Sequence, residues 1–547
     1  MLLRSRWVGG ALAGAVIVAA AVFATAGAAD SPDGPSLTSV PNANTRSDGY
    51  APANLLSPEL RQIVLAQGAN KLENPNAADK VAYYGYDSDV VNAAGEPQMV
   101  ATGTSPAAEA SKTEPDKNTY LVFKNGLPGG DPSYNYGSHF LFQAHETGTI
   151  GYITRINLDA DGPHRVTLLA TRDNAGAALP TFDGSTWEPW AQKLLVTAEK
   201  AGLPGGVWAL NVNVVPTTAE KKTALGAGGY EGIQDDPDGN LWIEEDVGGA
   251  NKGTTVARIP NSFVYRFVPT HRGDLDSGKL QVLQVLNSSG QPITQASQTA
   301  LNSPDQLALH VYGNTFHTNW VTIHDTAVDG TANYDANALA KAKDGTPFKR
   351  PENGLFRPGS NFREFYFDET GDTNATSPEN DTAGGWGSIF KLTQPGPSAN
   401  NGTLTLFYKG DQAHSSFDNV AWLSKDLVSF VEDAGETLHG QRNGLDSGWV
   451  FDAGANYANA SNTPIRWLAQ GRDPSATVDA GALPLSGSAF GKNDRDNEIT
   501  GIHVSDGDPS PAGILGAKNP NLNNKKWRWF YTQQHGDNPT YEVVFAG

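Results

Sequence analysis

The chain contains no cysteine, which excludes a disulfide framework, a CxxC redox centre and any thiolate nucleophile or metal ligand. Basic residues are scarce. In 547 residues, 39 Lys and Arg stand against 59 Asp and Glu, for a formal charge of −20. Such a chain repels nucleic-acid phosphate and anionic membrane faces, so no nucleic-acid partner is expected. The same balance suits chelation of divalent cations. Charged residues are 18% of the whole, below the roughly 25% usual for soluble domains. Long helices are disfavoured, because 60 Gly and 34 Pro make up about a sixth of the chain. Aromatic residues are not lacking: they are 9%, with 12 Trp, which argues against disorder.

Long apolar runs are also missing, with one exception. Val8 to Phe23, preceded by Arg4 and Arg6 and followed by small residues around Ala24-Thr25-Ala26 and Ala26-Gly27-Ala28, reads as the core of an export signal over residues 1–29. Its length falls short of the roughly 20 residues that span a bilayer. No Cys follows for lipid attachment, and Arg4-Ser5-Arg6 is not an adjacent arginine pair. The expectation is a secreted or periplasmic protein, a soluble monomer with no stable membrane anchor after signal removal.

Residues 30–80 form an N-terminal segment rich in Pro, Ser, Asn and Asp at its start, with apolar spacing that predicts a helix over Leu60–Ala66. From residue 81 the pattern is one of short β-type runs. Examples are Tyr120–Phe123, Phe140–Phe142, Arg165–Leu169, Leu194–Thr197, Leu241–Ile243, Phe263–Val268, Leu280–Val285, Leu404–Tyr408 and Leu427–Val431. Asp-Gly turns precede several of them, as in Asp235-Asp236-Pro237-Asp238-Gly239-Asn240, where Gly supplies the positive φ that a tight turn needs. Turns of this kind followed by aromatic-containing strands recur in β-propellers. No Pro-rich linker divides the chain. The expected fold is therefore all-β, a single large β-propeller over residues 81–547 with loop and short-helix insertions, one of them at Tyr334–Lys343.

Acidic residues recur directly after, or inside, the β-type runs: Glu146, Glu199, the trio Glu244-Glu245-Asp246, and the pair Glu432-Asp433. Carboxylates at such positions are partly buried, where their ionised form needs a cation or several donors. Ca²⁺, which takes six to eight oxygens, suits them. Taken singly, each could cap a turn or pair with an Arg. Taken together they are too many for the chain's scarce Lys and Arg to neutralise. The histidines show no zinc spacing, no G-x-S-x-G elbow is present, and no phosphate-binding G-x-x-x-x-G-K-[ST] loop occurs.

These residues resemble, in order, the PhoX family of secreted alkaline phosphatases. The resemblance rests on collinear pieces from about Gly137 to Asp537. The first is Gly137–Glu146. Next come Asp173-Asn174-Ala175-Gly176 with Trp190 and Leu195–Glu199, then Lys222–Gly226 through Glu231-Gly232. Glu245-Asp246 with Phe263–Pro269 follows. Arg350-Pro351-Glu352-Asn353-Gly354 with Thr370-Gly371-Asp372 is the most specific, and Asp418-Asn419, Val431-Glu432-Asp433, Glu498–Gly501 and Gln534-His535 complete the order.

The resemblance implies a six-bladed propeller that hydrolyses phosphate monoesters. It implies Glu146, Glu199, Glu231, Glu352 and Glu498 as metal ligands, with Asp246, Glu432 and Asp433 as further candidates. Arg350 and Glu352 would be catalytic, Arg350 clamping the phosphate of a small phosphoester beside Asn174. Two departures limit it. Asn174 stands where the family has its iron-ligating Cys, and an amide oxygen is a poor substitute for thiolate, so the resemblance carries Ca²⁺ over but not the Fe³⁺ centre. Tyr230 stands where the family has His. Two alternatives share the same calcium site: a propeller lactonase or phosphotriesterase, and a non-enzymatic extracellular binding propeller with structural calcium.

Overall fold

Antiparallel pairing sorts the strands into sheets that follow the chain. Leu55–Leu56 (β1), Leu60–Ala66 (β2), Lys71–Asn76 (β3) and Val81–Tyr83 (β4) come first. Thr119–Val122 (β5), His139–Ala144 (β6), Ile153–Asn157 (β7) and Val166–Ala170 (β8) form one meander. Ser185–Glu188 (β9), Lys193–Ala198 (β10), Gly206–Leu210 (β11) and Ala219–Lys221 (β12) form the next. Tyr230–Asp235 (β13), Leu241–Glu245 (β14), Val264–Pro269 (β15) and Gly278–Val285 (β16) make a third. The long strand Thr315–Asp325 (β17) joins it to Gly354–Phe356 (β18), Glu364–Glu369 (β19), Ser388–Thr393 (β20) and Asn401–Lys409 (β21), giving nine continuous strands. Phe417–Trp422 (β22), Leu427–Glu432 (β23), Ser447–Asp452 (β24) and Ile465–Ala469 (β25) carry β1 on their edge. Glu498–Ser505 (β26), Arg528–Gln534 (β27) and Thr540–Phe545 (β28) are completed by β2. The computed structural model describes residues 34–41, 44, 53–87, 90–99, 110–251, 257–294, 303–372, 384–471, 498–534 and 538–547. The expected signal segment 1–29 lies outside them.

The small sheets are arranged as in a propeller, packed face to face. Many strands are buried on both faces, β7, β8, β11, β14, β22 and β23 among them. Their sequences therefore run apolar or Ser/Thr-rich rather than alternating cleanly with charge. Alternation instead decides which neighbouring sheet a side chain meets. Leu194 and Val196 pack back on Phe140 and Phe142, while Leu195 packs forward against Tyr230 and Ile243. Trp242, between Leu241 and Ile243, turns the other way, onto Phe356 and Phe365. Further layers join Tyr366 to Trp422, Trp467 to Trp529, and Phe530 to Tyr120 and Leu141. The last of these returns the chain's end to its first meander.

The turn at Asp235–Asn240 forms as its sequence predicts. The Asp236 carboxylate accepts from the backbone N–H of Asp238 and Asn240 at 2.8 and 3.1 Å and from Trp242 Nε1 at 2.9 Å, and Gly239 has φ +87°. The helices are short insertions: Pro304–Leu309 (α1), Thr326–Asp329 (α2), Ala336–Ala342 (α3) and Gly435–Arg442 (α4). The helix expected at Tyr334–Lys343 is α3, started by the Asp335 carboxylate accepting from Ala338 N–H at 3.0 Å. The helix expected over Leu60–Ala66 is not formed. That stretch is β2, with Leu60 opposite Phe545 and Val64 opposite Tyr541. Its apolar spacing fits either element. The three-stranded β26–β28 sheet offers it an unpaired edge, and the backbone bonds gained there decide the outcome.

Candidate metal and active site

In an antiparallel meander the start of the first strand and the end of the second lie side by side. This protein places an acid at both positions, sheet after sheet. Asp116 precedes β5 and Glu146 follows β6. Asp183 precedes β9 and Glu199 follows β10. Glu231 is the second residue of β13 and Asp246 follows β14. Glu352 precedes β18, Asp418 is the second residue of β22, Asp433 follows β23, and Glu498 begins β26. Side-chain oxygens of Asp116, Glu146 and Asp183 come within 4.8 Å of one another; so do those of Asp183, Glu199 and Glu231, and those of Glu231, Asp246 and Glu352. Asp183 and Glu231 are shared, so seven carboxylates form one continuous belt. Local irregularity aims them. β13, β22 and β26 each shift register near their starts, at Tyr230/Ile233, Phe417/Val420 and Thr500/His503, and a bulge of this kind re-aims the side chains beside it. The Gly232 N–H donates to the Glu352 carbonyl at 2.7 Å, tying two of the acids together, and a Cβ at Gly232 would meet Glu244 Oε2 at 2.5 Å.

One guanidinium sits among them. Arg350 Nε donates to Asp246 Oδ2 at 2.6 Å, and Nη2 lies 3.3 Å from Glu352 Oε1 and 3.9 Å from Asp433 Oδ2. Its backbone is in the left-handed region, φ +58°, which a non-glycine residue holds only where its surroundings enforce it. Thr370 N–H on the Arg350 carbonyl (2.8 Å) and Gly371 N–H on the Lys349 carbonyl (3.0 Å) supply that constraint. Below the belt, Lys117 is buried and donates to Asn353 Oδ1 at 3.2 Å.

The electrostatics follow from burial. Two carboxylates 4–5 Å apart repel by about 3–4 kcal/mol at an effective dielectric constant near 20, more than the free energy of retaining a proton two units above the usual range. Burial, reinforced by neighbouring carboxylates, accordingly pushes Glu146, Asp183, Glu199, Glu231, Asp418 and Glu498 well above the ordinary carboxylate range. Burial raises Asp116 to about 6 against the pull of its Thr500 hydrogen bond, and raises Glu352 to about 8, with Asp246 adding to the rise and Arg350 opposing it. Burial works against the Arg350 charge too, but Asp246, Glu352 and Asp433 drive its pKa further up. The belt has two stable conditions: partly protonated, or fully ionised around cations.

Of the residues expected from sequence, the structure gathers Glu146, Glu199, Glu231, Asp246, Arg350 and Glu352 in or against the belt, with Asp433 beside Arg350. Glu498 faces Asp433 and Glu146. Two residues are not brought there. Asn174 is exposed on a tight turn, its side-chain carbonyl accepting from the Thr218 hydroxyl, and is not among the residues of the metal belt. Glu432 points away from Asp433, as consecutive strand residues must. Its oxygens take Trp449 Nε1 (2.8 Å), Ser415 N–H (3.1 Å), Ser447 N–H (3.0 Å) and Arg442 (2.9 Å), which makes it an internal anchor rather than a ligand. Tyr230 likewise turns inward, its hydroxyl on the Leu225 carbonyl at 3.0 Å. His145 is structural: it lies between the Thr113 and Thr154 hydroxyls, stacked on Tyr152, and burial lowers its pKa to about 3. His535 lies outside the described residues. Asp116 and Asp183 stand before their strands, where the pattern of acids after or inside apolar runs does not reach, and Asp418 sits at the start of β22 rather than after it.

The donor set decides which metals fit. Every ligand candidate is a carboxylate oxygen, which suits hard cations. A thiolate-held iron centre does not fit a chain without cysteine.

The fold is mainly β and propeller-like, with acids converging at the strand ends. In fold, the chain resembles Pseudomonas fluorescens PhoX, solved in complex with vanadate, a transition state analogue: the match covers 93% of this chain and 98% of that one at a TM-score of 0.51 and 12% identity. At that identity the likeness is one of fold. A xylose-complexed GH43_1 enzyme from Xanthomonas citri aligns over 67% of this chain and 94% of its own at 11% identity and a TM-score of 0.28, and a Bacteroides ovatus protein over 66% and 89% at 8% and 0.29. No protein-family model and no curated protein sequence matches the chain.

Proposed function

We propose that this protein is a secreted, calcium-dependent phosphatase that hydrolyses small phosphate monoesters on a six-bladed propeller. The observation that carries this reading is the shared-corner belt of seven carboxylates with Arg350 seated at its Asp246–Glu352 end. Six core layers between successive sheets support the blade count.

Asp116, Glu146, Asp183, Glu199, Glu231, Asp246 and Glu352 would hold the cations. When bound, calcium supplies Lewis-acid polarisation of the phosphoryl group and activation of an oxygen nucleophile. The chain's own residues do the rest. Arg350 uses Nε and Nη2 on its carboxylates, which fixes the plane of the guanidinium. That fixed fork matches two phosphate oxygens and opposes the charge that spreads over them in transfer. Asp246 and Glu352 hold the arginine in place, and the belt's acids give up their protons as cations enter.

The test is hydrolysis of p-nitrophenyl phosphate by calcium-loaded protein, with Glu352→Gln and Arg350→Ala as variants. Each should lower kcat by 10²-fold or more, the scale for removing one transition-state charge partner, while the fold persists. Lactone or phosphotriester turnover without monoester turnover would move the assignment to those chemistries. Calcium binding with no turnover would make the belt structural.

A further inference from the structure

Arg350 and Glu352 share one short segment, 349–353, and the residues that end β19 pin it. Asp368 Oδ1 accepts from the N–H groups of Glu352 and Asn353 at 3.2 and 3.0 Å. Thr370 and Gly371 donate their N–H groups to the Arg350 and Lys349 carbonyls. Between these residues, Glu369 reaches the segment with its side chain: Oε1 accepts from the Lys349 N–H at 2.8 Å. A carboxylate, rather than a neighbouring strand, therefore fixes the chain one residue ahead of Arg350.

That carboxylate is itself held. Glu369 is 1% exposed, and its Oε2 lies 2.9 Å from Nε2 of His310, the residue that follows α1. His310 Nδ1 donates to the Gln306 carbonyl at 2.8 Å. The ring packs against Gly384, where φ is +72° and a side chain would run into it. A second buried pair grips the same segment: Lys349 Nζ lies 2.9 Å from Asp372 Oδ2, and Asp372 Oδ1 accepts from the Arg258 N–H at 3.0 Å.

Buried ion pairs contribute little net stability, because desolvation offsets their attraction; fixing a register is their better-attested use. The register that needs fixing here is that of Arg350. Its φ is +58°, and Pro351 behind it narrows its backbone choices further. Neither Glu369 nor His310 is among the belt's acids or touches one of its oxygen clusters. The Arg350 side chain remains 21% exposed, so a ligand can reach it.

We propose that Glu369, oriented by His310, is a positioning residue for Arg350. Through the Lys349 N–H it sets the left-handed turn that aims the guanidinium, and so governs phosphate affinity and turnover rather than cation binding. This rests on the phosphatase reading, in which Arg350 is the phosphate clamp.

Three quantities are measured on the calcium-loaded full chain: inorganic phosphate affinity by calorimetry, kcat and KM for p-nitrophenyl phosphate, and bound calcium by dialysis. Glu369→Ala should weaken phosphate binding and lower kcat by about tenfold or more, within the roughly 10²-fold that a 1 Å misplacement can cost. Its calcium count should stay that of wild type. Glu369→Gln, whose amide oxygen still accepts from the Lys349 N–H, should recover most of the loss. Added to Arg350→Ala, Glu369→Ala should change phosphate affinity by less than about twofold, because the two act as one unit. If Glu369→Ala does not fold, His310→Asn, which releases the carboxylate from its partner, is measured in its place with the same expectations. Unchanged phosphate affinity and kcat in the folded variant overturn the proposal, as does an equal loss with and without Arg350, or calcium lost in step with phosphate. Wild type that binds phosphate through Arg350 without turning over the ester would fail the phosphatase reading alone, and the affinities would then decide. Wild type that binds no phosphate overturns both.

Discussion

Stripping the metal should make this protein an acid-stabilised one. Glu352 supplies the worked case, because burial raises its carboxyl from 4.5 to about 8 in the folded, metal-free chain. A carboxyl whose pKa is higher folded than unfolded holds its proton longer in the folded state. Its contribution is complete below the unfolded value and is lost as pH rises through the folded one. Between pH 4.5 and 8 the loss runs at about 1.4 kcal/mol per unit, or about 5 kcal/mol in all. An unfolding entropy of about 2.1 cal/mol/K per residue turns that, for a chain of this length, into about 4–5 °C of melting temperature. Asp116, Glu146, Asp183, Glu199 and Glu231 shift in the same direction, so this is a lower bound. Saturating calcium should reverse the trend. Ionised carboxylates are then the binding form, and each site at a thousandfold excess over Kd adds about 4 kcal/mol. The assay is differential scanning fluorimetry at pH 5.5, 6.5, 7.5 and 8.5, in EGTA and in millimolar calcium. A metal-free melting temperature that holds level or climbs across that range would refute the burial argument, and with it the cation-holding role of the belt.

Two variants separate anchors from ligands. Glu432→Ala should destabilise the fold by about 3–5 kcal/mol, as expected when Arg442 loses a buried partner, while the number of bound calcium ions stays that of wild type; dialysis and urea melts read both. Asn174→Ala, on an exposed turn, should change stability by no more than about 0.5 kcal/mol and leave p-nitrophenyl phosphate turnover and calcium content unaltered.

Much of the local structure was readable in the chain. The β-type runs, the Asp235–Asn240 turn and the short helix at α3 depend on neighbours a few positions apart, and these are written side by side in sequence. The acids after strand ends were visible for the same reason. The stretch Leu60–Ala66 shows where this stops, since its spacing suits a helix and only the vacant edge beside β28 makes it a strand.

The sequence by itself determined that the protein is β-rich, without thiolate chemistry and over-supplied with carboxylates, because composition and short-range pattern suffice for each. Only the tertiary structure decided which carboxylates share a site. Glu432 and Asp433 are adjacent in sequence, yet the pleat sends one to Arg442 and the other to Arg350. Asp116 and Glu352 are far apart in sequence, yet ring-wise packing of the sheets sets them on one belt. Side-chain direction in a strand has a period of two, and convergence of strand ends is a property of the closed arrangement. Neither can be read from a residue's type alone.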